Sequence, residues 1–206
     1  MTSPSAMWES RYSGETFIYG TDPNDFLAAA VNDLPVGRAL CLADGEGRNG
    51  VHLASLGHTV TSVDFSTAAI TKATQLATER GVQITTVVAD LADFDLGENR
   101  WDLIVSIFAH TPPNVRKSLH ERVARALSPE GAFVLEAYTP AQIGRGTGGP
   151  PVPELTMTLD GLREELRDMT IVNGREIIRP VIEGPGHTGD GAVVQLIARP
   201  ASATEK

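Results

Sequence analysis

Cysteine is almost missing from this 206-residue chain, where Cys41 stands alone. An intramolecular disulfide is therefore impossible, and a cysteine-rich zinc site is excluded. No H-x-x-x-H pair links the five histidines, so no metal site is expected. Excess positive charge is missing too: 17 Lys and Arg stand against 26 Asp and Glu, a net charge of −9. No basic block interleaves with aromatics, and this balance argues against nucleic acid as a partner. Nowhere do about 18 apolar residues run together, so no membrane span is expected. The start, MTSPSAMWES, has neither the charged opening nor the apolar stretch of a secretory signal. What remains is a soluble, cytoplasmic protein, monomer or homodimer, with a small molecule as its partner.

What is present suits one domain with a good core, since 41% of residues are hydrophobic and 21% charged. The first 37 residues precede any buried strand and hold WESRYSGETFIYG and then PNDFLAAAVNDLPVG, where Asp22 or Asn24 can cap a short helix. From Arg38 to about Pro200 the chain alternates strand and helix, and residues 201–206 are expected to be a disordered tail. RALCLA (38–43), HTVTSVD (58–64), VQITTVVAD (82–90), WDLIVSIF (101–108) and GAFVLEAY (131–138) read as strands. Helices are expected from Gly47 to Leu56, after Ser66, after Pro112 with Val115, Leu119, Val123 and Leu127 inward, and near 159–168. Two more strands, near 170–182 and 192–199, close the domain. Apolar strands alternating with helices imply a doubly wound α/β fold, a parallel sheet covered on both faces.

In such sheets a ligand sits at the carboxyl ends of the strands, near the reversal of strand order. The first such end reads LCLADGEGRNG (40–50), in which Gly45, Gly47 and Gly50 fit G-x-G-x-x-G. That pattern lets a backbone approach a ligand closely, and it leaves a dinucleotide open. Asp44 and Glu46, however, would repel a pyrophosphate, whereas Asp44 suits a cationic sulfonium or ammonium. Asp64, 17 residues after Gly47, ends the second strand where a carboxylate can accept both hydroxyls of a ribose. Asp90 ends the third strand, where an acid can accept an adenine amine. Together these favour S-adenosyl-L-methionine over a nicotinamide cofactor. A short oxidoreductase and an inactive cofactor-binding module stay open as alternatives.

The pieces W-E-S-R-Y (8–12), Y-G-T-D-P-N (19–24), G-E-G-R-N (45–49), V-D-F-S (63–66), A-D-L-A-D-F (89–94), W-D-L-I-V-S-I-F-A-H (101–110) and L-S-P-E-G-A-F-V-L-E (127–136) follow one another over nearly the whole chain. In this order the chain resembles the class I S-adenosylmethionine-dependent methyltransferases, in the branch related to the tellurite-resistance and thiopurine enzymes. The resemblance implies a seven-stranded, mostly parallel sheet with an antiparallel last strand. It implies that Ala43 to Gly47, Asp44 and Gly45 among them, wrap the methionine part and that Asp64 holds the ribose. Phe65 would cover one adenine face, Ser66 would stand beside it among the cofactor-binding residues, Asp90 and Leu91 would meet the adenine edge, and Ser106 would line the cofactor backbone. Residues 1–37 would roof the site, with Arg11 on the methionine carboxylate and Tyr19 beside it. The usual acid and the usual first glycine of the loop are replaced here by Cys41 and Ala43.

His110, after the fourth strand, and His187, in a turn before the last strand, are the candidate general bases. The resemblance points to soft acceptors such as a thiol or a selenium or tellurium oxyanion. GRGTGGPPVP (144–153) is expected to be a lid. His52, His58 and His120 are expected at the surface, as is a Glu46–Arg48 pair. Asn49 is assigned a structural hydrogen bond, and Cys41 a place in the core.

Overall fold

The computed structural model describes residues 4–201, so the expected tail lies outside them from residue 202 onward. Two helices precede the sheet, α1 (Pro4–Tyr12) and α2 (Asp25–Ala30), the second capped by the Asn24 side chain. Then come β1 (Arg38–Leu42), α3 (Arg48–Ser55), β2 (Thr59–Asp64), α4 (Thr67–Glu79), β3 (Thr85–Val88) and β4 (Trp101–Ile107). The chain ends with α5 (Pro113–Ala126), β5 (Leu127–Tyr138), α6 (Leu159–Glu165), β6 (Met169–Glu183) and β7 (His187–Pro200). The sheet has seven strands in the order β3-β2-β1-β4-β5-β7-β6, with β7 antiparallel to both neighbours.

Alternation along β1 builds both layers of the core. Leu40 and Leu42 join Ile104, Phe133 and Leu135 under α5, while Ala39 and Cys41 join Leu103, Val105 and Val134 under α2 and α3. Burying such side chains on both faces is what lets a parallel sheet form. Cys41 is 1% exposed, and burial pushes its thiol up in pKa. It is core, as expected.

The structure moves several expected features. Leu127 opens β5 instead of closing α5, and Val115 is only half buried. β3 is shorter than expected and β7 longer, so His187 is the first residue of a strand and not part of a turn. His58 and His120 are buried, at 5% and 2% exposure, not at the surface. The His58 Nδ1 accepts the Gly37 N–H, and His120 pairs with Glu165 at 2.8 Å. Local position suggested exposure for both, but a hydrogen-bond partner from elsewhere in the chain lets each ring be buried.

The order of strands reverses between β1 and β4. Both strands end there in a left-handed residue that is not glycine, Ala43 at φ 49° and Phe108 at φ 52°. L-residues adopt this conformation at a cost of order 1 kcal/mol, and such strain gathers at functional sites.

Candidate functional site

A cavity of about 680 Å³ opens above that reversal. Its floor is the turn Ala43–Glu46 with Phe108 and His110. Its roof is Trp8, Arg11 and Tyr12 of α1 together with Tyr19, and His187 and the loop residues Pro150 and Pro151 close the far side. Residues of the N-terminal segment and of the 144–153 loop line the same cavity as the glycine turn.

The three glycines work in different ways. Gly47, at φ +86°, caps α3, and a Cβ there would lie 2.5 Å from the Ala73 Cβ, so it sets the contact between α3 and α4. Gly47→Ala should therefore destabilise the fold by about 1–3 kcal/mol through overpacking. An unchanged urea midpoint would contradict this. A Cβ on Gly50 would meet Asp44 Oδ2 at 2.6 Å, so this glycine makes room for a carboxylate and not for a phosphate. Gly45 lies under the Tyr12 hydroxyl.

The two loop acids are tied down inside the protein. Asp44 Oδ2 accepts the Ser62 hydroxyl at 2.8 Å and the Gly50 N–H at 3.3 Å. Burial outweighs these bonds and raises the Asp44 carboxyl to about 7, so its charge is not fixed at neutral pH. Glu46 does not form a surface pair with Arg48. It is buried, pairs with Lys72 at 2.7 Å, and accepts the backbone N–H groups of Ile18 and Tyr19. Lys72 thus offsets its charge, and the acid fastens the roof segment to the turn. Asn49 has the expected structural role, accepting the Asn24 N–H at 3.0 Å.

Arg11 is exposed and differs from the buried cations of the site, Arg48 and Lys72. Among the described residues it pairs with no carboxylate; it donates to the Tyr19 hydroxyl at 3.0 Å and stacks over Trp8 at 4.7 Å. An arginine fork without an acid partner in a cavity suits a ligand carboxylate.

The remaining expected contacts stand outside this cavity. Asp64 accepts the N–H groups of Gly45 and Ser66, at 3.0 and 2.9 Å, and is 5% exposed. α1 lies across it: Glu9 accepts the Ser66 hydroxyl at 2.6 Å and the Ala68 N–H at 3.2 Å. Ser66 caps α4 through the Ala69 N–H. Asp90 is exposed and accepts the Ala92 N–H, while Leu91 and Ser106 are buried and Phe65 is half buried.

Two residue groups were not anticipated. One is a buried ionic network beneath the far wall. Glu136 in β5 is fully buried and accepts from Arg179 Nε and Nη2, Asn24 Nδ2 and Gln195 Nε2, all within 2.9 Å. Glu183 takes Arg48 at 2.5 Å, Asn24 at 2.8 Å and Arg179 at 3.1 Å. A lone glutamate inside the apolar strand GAFVLEAY was the available signal, since a charge there must be paired. The other is Arg116 on α5, which grips Glu165 through both carboxylate oxygens and donates to the Thr156 carbonyl. It holds the segment whose Leu155 carbonyl meets His110.

Residues 39–131 match the model of a methyltransferase domain. Solved structures with the same fold include a protein studied for the conversion of a disulfide bond into a thioacetal group during echinomycin biosynthesis. It is 22% identical, covers 98% of this chain and 94% of its own, and superposes at a TM-score of 0.79. TehB from Haemophilus influenzae is 19% identical over 95% of this chain and 66% of its own, at 0.71. A 1,6-didemethyltoxoflavin-N1-methyltransferase from Burkholderia thailandensis, solved with S-adenosylhomocysteine, is 22% identical over 86% and 77%, at 0.61. The chain shares the fold of these structures, and its residues 39–131 match a methyltransferase domain, a kind of domain whose methyl donor is S-adenosyl-L-methionine. The dinucleotide that the glycine pattern left open gives way to it. Among the described residues no helix is long and apolar enough to cross a membrane, and no cluster of side chains could hold a metal.

Proposed function

We propose that this chain, whose residues 39–131 match a methyltransferase domain, transfers the sulfonium methyl of S-adenosyl-L-methionine to a small organic molecule held under the 144–153 loop. One observation carries the reading: a single cavity of about 680 Å³ joins the glycine turn, an arginine without an acid partner and two histidines. Its size suits a cofactor end and a small acceptor together.

Arg11, with Tyr19, would take the methionine carboxylate. Ala43 to Gly47 would border the methionine chain, and the Asp44 carboxyl would gain negative charge as a cationic group approached. Asp64 would serve the ribose, Phe65 and Ser66 the adenine face, Asp90 and Leu91 the adenine edge, and Ser106 the cofactor backbone. Support for the adenosine half is positional: these residues end β2, β3 and β4 at the carboxyl edge of the sheet. Reaching Asp64 requires α1 to lift, because Glu9 holds Ser66 and the Tyr12 hydroxyl lies over Gly45, the two residues that donate to Asp64.

The cofactor supplies a methyl group on a cationic sulfur, and the protein's share is alignment and exclusion of water. Aromatic walls from Trp8, Tyr19 and Phe108 serve both ends. Differential scanning fluorimetry tests the reading. S-adenosylhomocysteine at about 100 times its Kd should stabilise the protein by about 2.7 kcal/mol, while NAD and NADP leave it unmoved. Stabilisation by NAD alone would reverse the assignment. Release of S-adenosylhomocysteine over a panel of phenols, amines, thiols, selenite and tellurite then sorts the acceptors.

A further inference from the structure

His110 and His187 both border the cavity, but their nitrogens are not equally free. The His110 Nδ1 lies 2.8 Å from the Leu155 carbonyl and must donate to it. Its Nε2 therefore carries the lone pair, and it accepts the Tyr138 N–H at 3.3 Å. Both nitrogens are committed to the backbone.

His187 has no such commitment. Its Nδ1 is buried without a hydrogen-bond partner, Nε2 makes no bond among the described residues, and the residue lines the cavity. Across the hairpin turn at Gly184–Gly186, His187 stands in register with Glu183, whose Oε2 lies 3.8 Å from Nδ1. That distance is an ion-pair separation, slightly beyond a hydrogen bond. Asn24, Arg48 and Arg179 fix the carboxylate, and the rings of Tyr19 and Phe108, at 4.4 and 4.8 Å, hold the imidazole. A lone pair on Nδ1 would face a carboxylate, whereas an N–H there is attracted to it.

We propose that Glu183 is a positioning residue that keeps the proton of neutral His187 on Nδ1, making Nε2 the general base for an acceptor methylated at an O–H or N–H. This deepens the methyltransferase reading and rests on it. In the step, the acceptor's proton passes to Nε2 and its freed electron pair bonds the methyl carbon. The C–S bonding pair stays on sulfur, leaving a neutral thioether and an imidazolium. The charged and titratable groups facing His187 are Glu183 on β6, Arg48 on α3, Arg11 on α1, Tyr19, Tyr138 on β5 and His110. Burial lowers the pKa of the ring, Glu183 opposes that, and Arg48 and Arg11 add to it, so the ring is neutral and able to accept a proton near neutral pH.

Long-range proton–nitrogen correlation spectra of the full chain, labelled with ¹⁵N-histidine, test this directly. His187→Gln identifies the ring by loss of its signals. The wild type should show His187 as the Nδ1–H tautomer. In Glu183→Gln the charge that draws the proton to Nδ1 is gone, and the Nε2–H tautomer should gain at its expense. Glu183→Asp keeps the charge for Arg48 and Arg179 but withdraws the oxygen, so it carries the test should the first variant not fold. An Nε2–H ring in the wild type, or an unchanged ring in both variants, overturns the proposal. In turnover, His187→Gln should lose about 100-fold or more on a phenol or amine acceptor. Preferred turnover of tellurite or a thiol, unchanged in that variant, overturns the acceptor class. Failure of S-adenosylhomocysteine to bind the wild type in calorimetry would sink the methyltransferase reading instead, and a wrong tautomer does not produce that result.

Discussion

Glu136→Ala should cost about 3–5 kcal/mol of folding stability, the largest loss expected of any single substitution in this chain. The carboxylate is fully buried, and four donors from three side chains converge on its two oxygens. Removing it leaves Arg179 with Glu183 and an exposed Asp25 as partners, leaves Asn24 with Glu183 alone, and strips the Gln195 amide NH₂ of its acceptor. The main cost is the uncompensated charge in a dry interior, not the attraction lost. Glu136→Leu combined with Arg179→Leu should therefore be milder than Glu136→Ala alone, since it removes both charges together. Acid titration gives a second view of the same network. Burial would raise the Glu183 carboxyl, but the His187 ring, Arg48 and Arg179 outweigh it and hold it at about 2, against 4.5 for an ordinary glutamate. A depressed acid contributes stability in full above its unfolded pKa, so this contribution is lost as pH falls from about 4.5 to about 2. Urea midpoints measured across that window check both claims. A Glu136→Ala midpoint close to wild type would mean that the network does not hold the strands together.

The layers of the fold were legible because they rest on local pattern. Leu40 and Leu42 against Ala39 and Cys41 show a strand buried on both faces, and Ser66 marks the start of α4 by its side chain alone. The turn that holds the site was legible in outline for the same reason. What the loop acids do was not, because their partners lie far off in sequence. Glu46 is answered by Lys72, 26 residues on, and by a roof segment 28 residues before it. Asp44 and Glu46 looked like a charged face for a ligand, yet much of their hydrogen bonding is spent inside the protein. Arg48 finds Glu183 135 residues away, a pairing that only the closed sheet creates. The strained backbone at Ala43 and Phe108 left no mark in the sequence either, since neither residue type signals a left-handed conformation.

Asp64→Ala should weaken S-adenosylhomocysteine binding by about 2–4 kcal/mol, which is roughly 30- to 1000-fold in Kd. The carboxylate ends β2 beside the glycine turn, and each of its oxygens already accepts one backbone N–H. An ionised carboxylate offers about four acceptor positions, so these N–H groups leave it capacity for a ribose hydroxyl. Burial raises its pKa, and the N–H groups of Ser66, Gly45 and Phe65 oppose that. Asp64→Asn separates binding from architecture: its oxygen can still take the Ser66 N–H, but the charge that strengthens bonds to hydroxyls is gone. Its affinity should fall between those of the wild type and Asp64→Ala, with a smaller loss of thermal stability. The α1 cover adds a kinetic signature. Glu9→Ala removes the acceptor that holds α1 to Ser66 and Ala68, so association should quicken in that background while the Asp64 loss stays in dissociation. Equal affinity of the three Asp64 forms by calorimetry would remove the ribose from this position, and unchanged association in Glu9→Ala would show that α1 does not gate it.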